Sequence, residues 1–110
     1  MSAALRADDR VLMLAIPSRR EMAGVARVLM SGSLVAIGTA DEVDEARANL
    51  AEFDNVMFLD ARPDSIPWRD AYFTKILVPT HLEPLLRSAA AELHRLLAPG
   101  GEIVTGSQDC

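Results

Sequence analysis

The chain has 110 residues, half of them hydrophobic but only 5% aromatic, and a formal net charge of −5. That length suits one domain spanning residues 1–110, able to bury roughly 65% of its unfolded surface in an aliphatic core without metal or disulfide staples. The acid excess argues against nucleic acid, whose binders need clustered Lys and Arg; Arg19–Arg20 is the only adjacent basic pair.

The single cysteine, Cys110, has no partner in the chain, which excludes an internal disulfide framework and fits a reducing, cytoplasmic setting. The opening residues are too polar for a signal peptide, and no apolar run approaches the ~20 residues of a membrane span. Residues 1 to 9 offer at most a short helical turn and read as frayed.

Val11 to Ile16 is continuously apolar, as a strand buried on both faces should be. Pro17 pushes Ile16 toward extended geometry and ends it. Ser18-Arg19-Arg20-Glu21 is a capping-box pattern, with Ser18 as N-cap and Glu21 reaching back to its amide. Met22, Val25, Ala26 and Leu29 then recur at helical spacing, and Ser31-Gly32-Ser33 stops the helix. Leu34 to Ile37 is a second strand, followed by a second capping box at Thr39 and Glu42. Its helix carries Val43, Ala46 and Leu50 on one face. Val56 to Leu59 is a third strand ending at Asp60-Ala61. Arg62 to Tyr72 has no sustained period; its Trp68 either covers a cleft or anchors the loop.

Phe73 to Val78 is a fourth strand closed by Pro79. A helix is expected from about Glu83 to Leu97, with an apolar stripe of Leu85, Leu86, Ala89, Ala90, Leu93, Leu96 and Leu97. Thr80 with Glu83 suggests a third capping box, which Pro84 argues against. Pro99-Gly100-Gly101 breaks the helix, and Glu102 to Thr105 is the fifth strand. Strands alternating with helices predict a three-layer α/β sandwich around a mainly parallel sheet.

Two stretches carry a family resemblance. One is Asn55-Val56-Met57-Phe58-Leu59-Asp60-Ala61 with Ile66-Pro67-Trp68. The other is Leu93 to Val104 through Ala98-Pro99-Gly100-Gly101. In this order they resemble the third strand and the helix-turn-fifth strand of class I S-adenosylmethionine-dependent methyltransferases. The resemblance runs from about Val11 to Val104 and implies a Rossmann-like fold with strand order 3-2-1-4-5. It also implies S-adenosylmethionine as cofactor, with Asp60 and Ala61 as the cofactor-binding pair beside the adenine.

The chain departs from the family at its first strand, which in the family ends in an acid followed by G-x-G-x-G. Here Met13 stands at the acid, and Ala15, Pro17 and Arg19 stand at the glycines, where side chains obstruct close approach. The ribose-binding acid after the second strand is replaced by Gly38 or Thr39. Asp41 and Glu42 come next, but suit the first turn of a helix. The expectation is a truncated, degenerate methyltransferase-like domain, a pseudoenzyme with no cofactor, no catalytic residues and a structural or protein-binding role. The alternative is a methyltransferase, or another small-ligand module with a site near Asp60 and His81.

A phosphoryl-accepting receiver domain shares an aspartate like Asp60 and a threonine like Thr80, but needs acids where Ile16 and Pro17 stand and a lysine after strand five. His94 reads as a helical surface residue, and His81, just past strand four, as the better functional histidine. No His or Cys pair has metal-ligand spacing, so no metal is expected. The strand Glu102 to Thr105 lacks the lysine, proline or bulge that protects natural sheet edges, and only Gly106 to Cys110 remain beyond it. A homodimer through that edge, or a protein partner, is expected; no nucleic acid and no membrane.

Overall fold

A computed structural model describes residues 5–105; residues 1–4, and 106–110 with Cys110, lie outside the described residues. The elements are β1 (Arg10–Met13), α1 (Arg19–Val28), β2 (Ser33–Gly38), α2 (Ala40–Asn49), β3 (Val56–Asp60), β4 (Phe73–Val78), α3 (Leu86–Leu96) and β5 (Leu97–Thr105). A 3-10 turn at Thr80–Leu85 precedes α3. The five strands pair in parallel in the order β3-β2-β1-β4-β5, as expected.

Alternation along the strands divides the core between the two faces of the sheet. Val11, Leu34, Ala36, Phe58 and Leu77 pack with Met22 of α1, Leu29 at its C-cap, and Val43 and Ala46 of α2. Leu12, Val35, Ile37, Ile76 and Val78 pack with Ala89, Leu93 and Leu96 of α3 and Ile66 of the β3–β4 connection. The chain therefore places α1 and α2 on one face and α3 on the other, and the change of side occurs between β1 and β4.

Several boundaries differ from the sequence reading. β1 ends at Met13, not Ile16. Leu14 still donates to the Leu77 carbonyl at 3.3 Å, after which Ala15 to Pro17 peel away from the sheet. The helix expected from Glu83 is a 3-10 turn up to Leu85, since Pro84 has no amide and disfavours α-helical geometry at Glu83. The cap before it is Pro79, which has no side-chain bond to give, one residue ahead of the Thr80 expected there. Leu85 is 38% exposed, outside the expected stripe, and Leu97 belongs to β5.

Pro99-Gly100-Gly101 ends no strand: β5 runs through it, with an irregularity opposite Phe73 and Lys75. Gly100 has φ 81, a glycine conformation, and a Cβ on Gly101 would lie 2.9 Å from the Thr74 carbonyl oxygen. The fifth strand is therefore longer than Glu102 to Thr105; its irregularity lies between Leu97 and Glu102, while Glu102 to Thr105 pair regularly.

Two polar clusters tie down the amino ends and the long connection. Asp9, 3% exposed, is not frayed: it accepts from the Thr74 hydroxyl at 2.8 Å and the Arg6 amide at 2.7 Å, with Lys75 Nζ at 3.7 Å. Burial pushes its carboxyl up, but these partners outweigh it and hold it below the usual aspartate value. In the connection, the Arg95 guanidinium donates to the carbonyls of Ile66 and Trp68, both at 2.8 Å, and to Asp70 at 2.6 Å. Its i−3 neighbour Glu92 takes two further guanidinium bonds and accepts from the Ile66 amide at 2.6 Å. Trp68 packs edge-on to Tyr72, with ring centres 5.6 Å apart, which makes it the anchor of the loop.

The Arg95 and Ile66 bonds hold the Glu92 carboxyl down at about 2, from an ordinary 4.5. A carboxyl depressed on folding stabilises fully above the unfolded value, and the gain fades as pH falls through the folded one. Urea unfolding of Glu92→Gln should therefore show a loss of about 1.5 kcal/mol at pH 7, typical of a bond to a charged group. The wild type should lose more stability than the variant between pH 4.5 and 2. Parallel acid profiles would remove Glu92 from the account.

Candidate functional site

Where neighbouring strands send their crossovers to opposite faces, their carboxyl ends diverge and leave a crevice. β1 and β4 do so here. The crevice has a volume of about 520 Å³ and is lined by Met13, Ala15, Ile16, Pro17, Ser18 and Glu21 on the β1–α1 side. Leu77, Pro79, Thr80 and His81 line the β4 side. The early end of β1 opens this space, because Ala15 to Pro17 form a wall rather than extending the ladder.

Ser18 is the N-cap of α1, its hydroxyl accepting from the Glu21 amide at 3.3 Å. The expected return bond from the Glu21 side chain to the Ser18 amide is not made, so the capping box is half formed. At α2 the same pattern is complete: Thr39 accepts from Glu42 N at 3.2 Å, and Glu42 Oε1 accepts from Thr39 N at 2.9 Å. That closed box sits over the end of β2. A Cβ on Gly38 would lie 2.8 Å from Glu42 Oε1 and 3.0 Å from Ile16 Cδ1. The end of β2 is thus covered from both sides.

Of the residues singled out from sequence, Met13, Ala15, Pro17, Thr80 and His81 meet at the crevice, and Arg19 does not. Its guanidinium turns away to Glu52 and the Asn49 carbonyl of α2, so it obstructs nothing there. Asp60 is exposed at the end of β3, in register with Gly38, and Ala61 continues the ladder by donating to the Gly38 carbonyl at 3.2 Å. Asp60 and His81 follow strands three spacings of about 4.8 Å apart, with β2 and β1 between. His94 is exposed on α3, beside a shallow groove with Leu86, Arg87 and Ile103.

Sequence reasoning missed the crevice role of Glu21, which the capping pattern had assigned to the backbone. Among the described residues no group of three or more His, Cys, Asp or Glu is placed to hold a metal ion. No described helix is long and apolar enough to cross a membrane.

No protein-family model and no curated protein matches the chain. Solved structures do. A Bacillus halodurans protein assigned as a methyltransferase superposes with a TM-score of 0.77 at 24% identity, over 94% of this chain and 46% of its own. A SAM-dependent methyltransferase of Aquifex aeolicus gives 0.78 at 22% identity, over 93% of this chain and 57% of its own. A complex of the Haloferax volcanii Trm112 methyltransferase activator with a methyltransferase gives 0.77 at 21% identity, covering 92% of this chain and 45% of the match. The chain spans about half the length of these structures. Its five parallel strands in the order 3-2-1-4-5, with flanking helices, are the Rossmann-like fold of class I methyltransferases.

Proposed function

We propose that this domain keeps the methyltransferase fold without its cofactor chemistry and serves a structural or protein-interaction role. The observation that carries the reading is the covered end of β2. The family's ribose acid belongs at Gly38 or Thr39, and a Cβ at Gly38 would press on the side-chain ends of Glu42 at 2.8 Å and Ile16 at 3.0 Å, so that both would have to move aside. Losing that carboxylate removes charge-assisted bonds worth ~1.5–3 kcal/mol each. The Thr39 and Glu42 amides at the start of α2 are taken by its own capping box. S-adenosylmethionine, as the family holds it, does not fit these residues. Asp60 and Ala61 alone remain of the family's set, and no reaction step is assigned to them.

On this reading the chain is one cytoplasmic domain that acts through its surface. The two sheet edges differ. On β3, Asn55 and Ala61 bond inward to β2, which turns the Phe58 carbonyl outward, where Arg47 on α2 donates to it at 3.1 Å. That edge is guarded by a charge, a device that discourages strand addition. On β5, among the described residues, no side chain bonds to the outer edge. This open edge supports a homodimer that pairs β5 with its two-fold copy. A second reading, a small-ligand module, draws on the open crevice between Met13 and His81.

Calorimetry tests the main reading. Neither S-adenosylmethionine nor S-adenosylhomocysteine should give saturable heat at millimolar concentration; a Kd near 10 µM, roughly −7 kcal/mol, would overturn it. Light scattering at micromolar concentration should give twice the chain mass of 11.9 kDa. Proline at Val104, whose amide bonds inward to β4, should weaken β5 and shift the species toward monomer or aggregate. A wild-type monomer contradicts the dimer.

A further inference from the structure

At the amino end of the sheet, where β1 and β4 begin, two arginines converge on one tyrosine. Arg10 Cζ lies 5.1 Å and Arg69 Cζ 5.2 Å from the centre of the Tyr72 ring. That ring is held edge-on by Phe73, with ring centres 5.0 Å apart, and by Trp68 at 5.6 Å. The Arg10 guanidinium is set by its Nε, which donates to the Tyr72 carbonyl at 2.6 Å. Its other N–H groups, and those of the Arg69 side chain, bond to no described residue. The carboxylates beside them in sequence are committed elsewhere. Asp9 accepts from Thr74 and the Arg6 amide and faces Lys75, and Asp70 receives Arg95.

The backbone is strained at the same point. Ala71 has φ 53, a left-handed conformation disfavoured for a residue with a Cβ. It is held there because the Ala71 and Tyr72 amides donate to the last carbonyls of α3, those of Arg95 at 2.8 Å and Leu96 at 2.9 Å. Strain of this kind persists where the surroundings over-determine a geometry, and it gathers at ligand sites.

We propose that Arg10, Arg69 and Tyr72 form an anion site that takes a phosphoryl group. Two guanidinium charges this close repel each other, and a bound anion relieves the repulsion. The end of α3 beside them supplies only about half a negative charge, too little to balance two full positive ones. Donor geometry then selects the ligand. Each guanidinium presents parallel N–H groups that match a pair of oxygens. A carboxylate has two oxygens and fills one such fork; a phosphoryl group has a third and can engage both. Arg10 is fixed by its backbone bond, while Arg69 is exposed and free to adjust to the anion. The site lies at the opposite end of the parallel strands from the crevice, so it does not depend on the cofactor reading.

The test is an NMR titration of the full chain at pH 7 and constant ionic strength, reading the arginine Nε–Hε signals. The probes are phenyl phosphate, inorganic phosphate and acetate. Both phosphates should shift the Arg10 and Arg69 signals saturably with a millimolar Kd. Acetate, which fills one fork, should bind at least about threefold more weakly. Tighter binding of phenyl phosphate assigns the site to a phosphate ester, and equal affinities assign it to the free ion; either supports the proposal. Arg69→Gln removes an exposed side chain without an ion pair among the described residues, and a thermal melt checks that it folds. It should weaken phosphate at least about threefold, whereas Arg20→Gln, on α1 at the other end of the sheet, should leave the affinity unchanged. Acetate binding as tightly as phosphate, an unchanged affinity in Arg69→Gln, or no saturable shift up to about 20 mM phosphate overturns the proposal. Calorimetry with S-adenosylmethionine addresses the other end of the sheet, so neither result decides the other.

Discussion

The arrangement turns on one short strand hydrogen-bonded on both sides. β1 has four residues, pairs with β2 through all of them and with β4 through three, and lies at the centre of the sheet. Because β2 and β4 send their helices to opposite faces, the segment leaving β1 must lie in the gap between them. Leu14 to Pro17 form that segment. Leu14 stays in the core at 4% exposure, and Pro17 fixes the exit before α1. Ile16 is half-buried and reaches over the end of β2, its Cδ1 3.0 Å from where a Cβ on Gly38 would lie. A glycine loop at this point would leave that end open; an isoleucine followed by a proline closes it.

Closing one side of the switch point opens the other. With Arg19 drawn off to α2, the β1–β4 side keeps an apolar lining from Met13, Ile16, Pro17 and Leu77. The same local pattern, two capping motifs at corresponding helix starts, thus serves opposite ends: Glu42 seals and Glu21 lines. The difference lies in the surroundings of each glutamate, since both Ser18 and Thr39 cap their helices in the same way.

That distinction marks how far the sequence could be read. β4 was legible to the residue and β2 to one residue at each end, because aliphatic runs bounded by proline or glycine leave few alternatives. The strand order and the placement of Asp60 came from two stretches resembling a known family, and the fold agrees. Pro99-Gly100-Gly101 was read as breaking the helix, and α3 does end before it, but pairing with β4 starts the strand at Leu97 and carries it through these residues. The Glu92–Arg95 clasp was invisible, since its partners lie 25 to 29 residues away in an aperiodic stretch. Arg19 was read as an obstruction because spacing gives its position but not its direction, and its partner Glu52 lies 33 residues on.

The covered end of β2 is the point on which the functional reading depends, and it can be observed directly. A Cβ on Gly38 would fall 3.0 Å from Ile16 Cδ1, so one Gly38 α-proton must lie against that methyl group. A nuclear Overhauser measurement on the methyl-labelled protein should show a strong cross-peak between the Ile16 δ1 protons and Gly38 Hα. That peak should persist unchanged in millimolar S-adenosylmethionine. Its absence, or its loss on adding the cofactor, would mean that the end of β2 is open and that the domain retains the site its fold was built around.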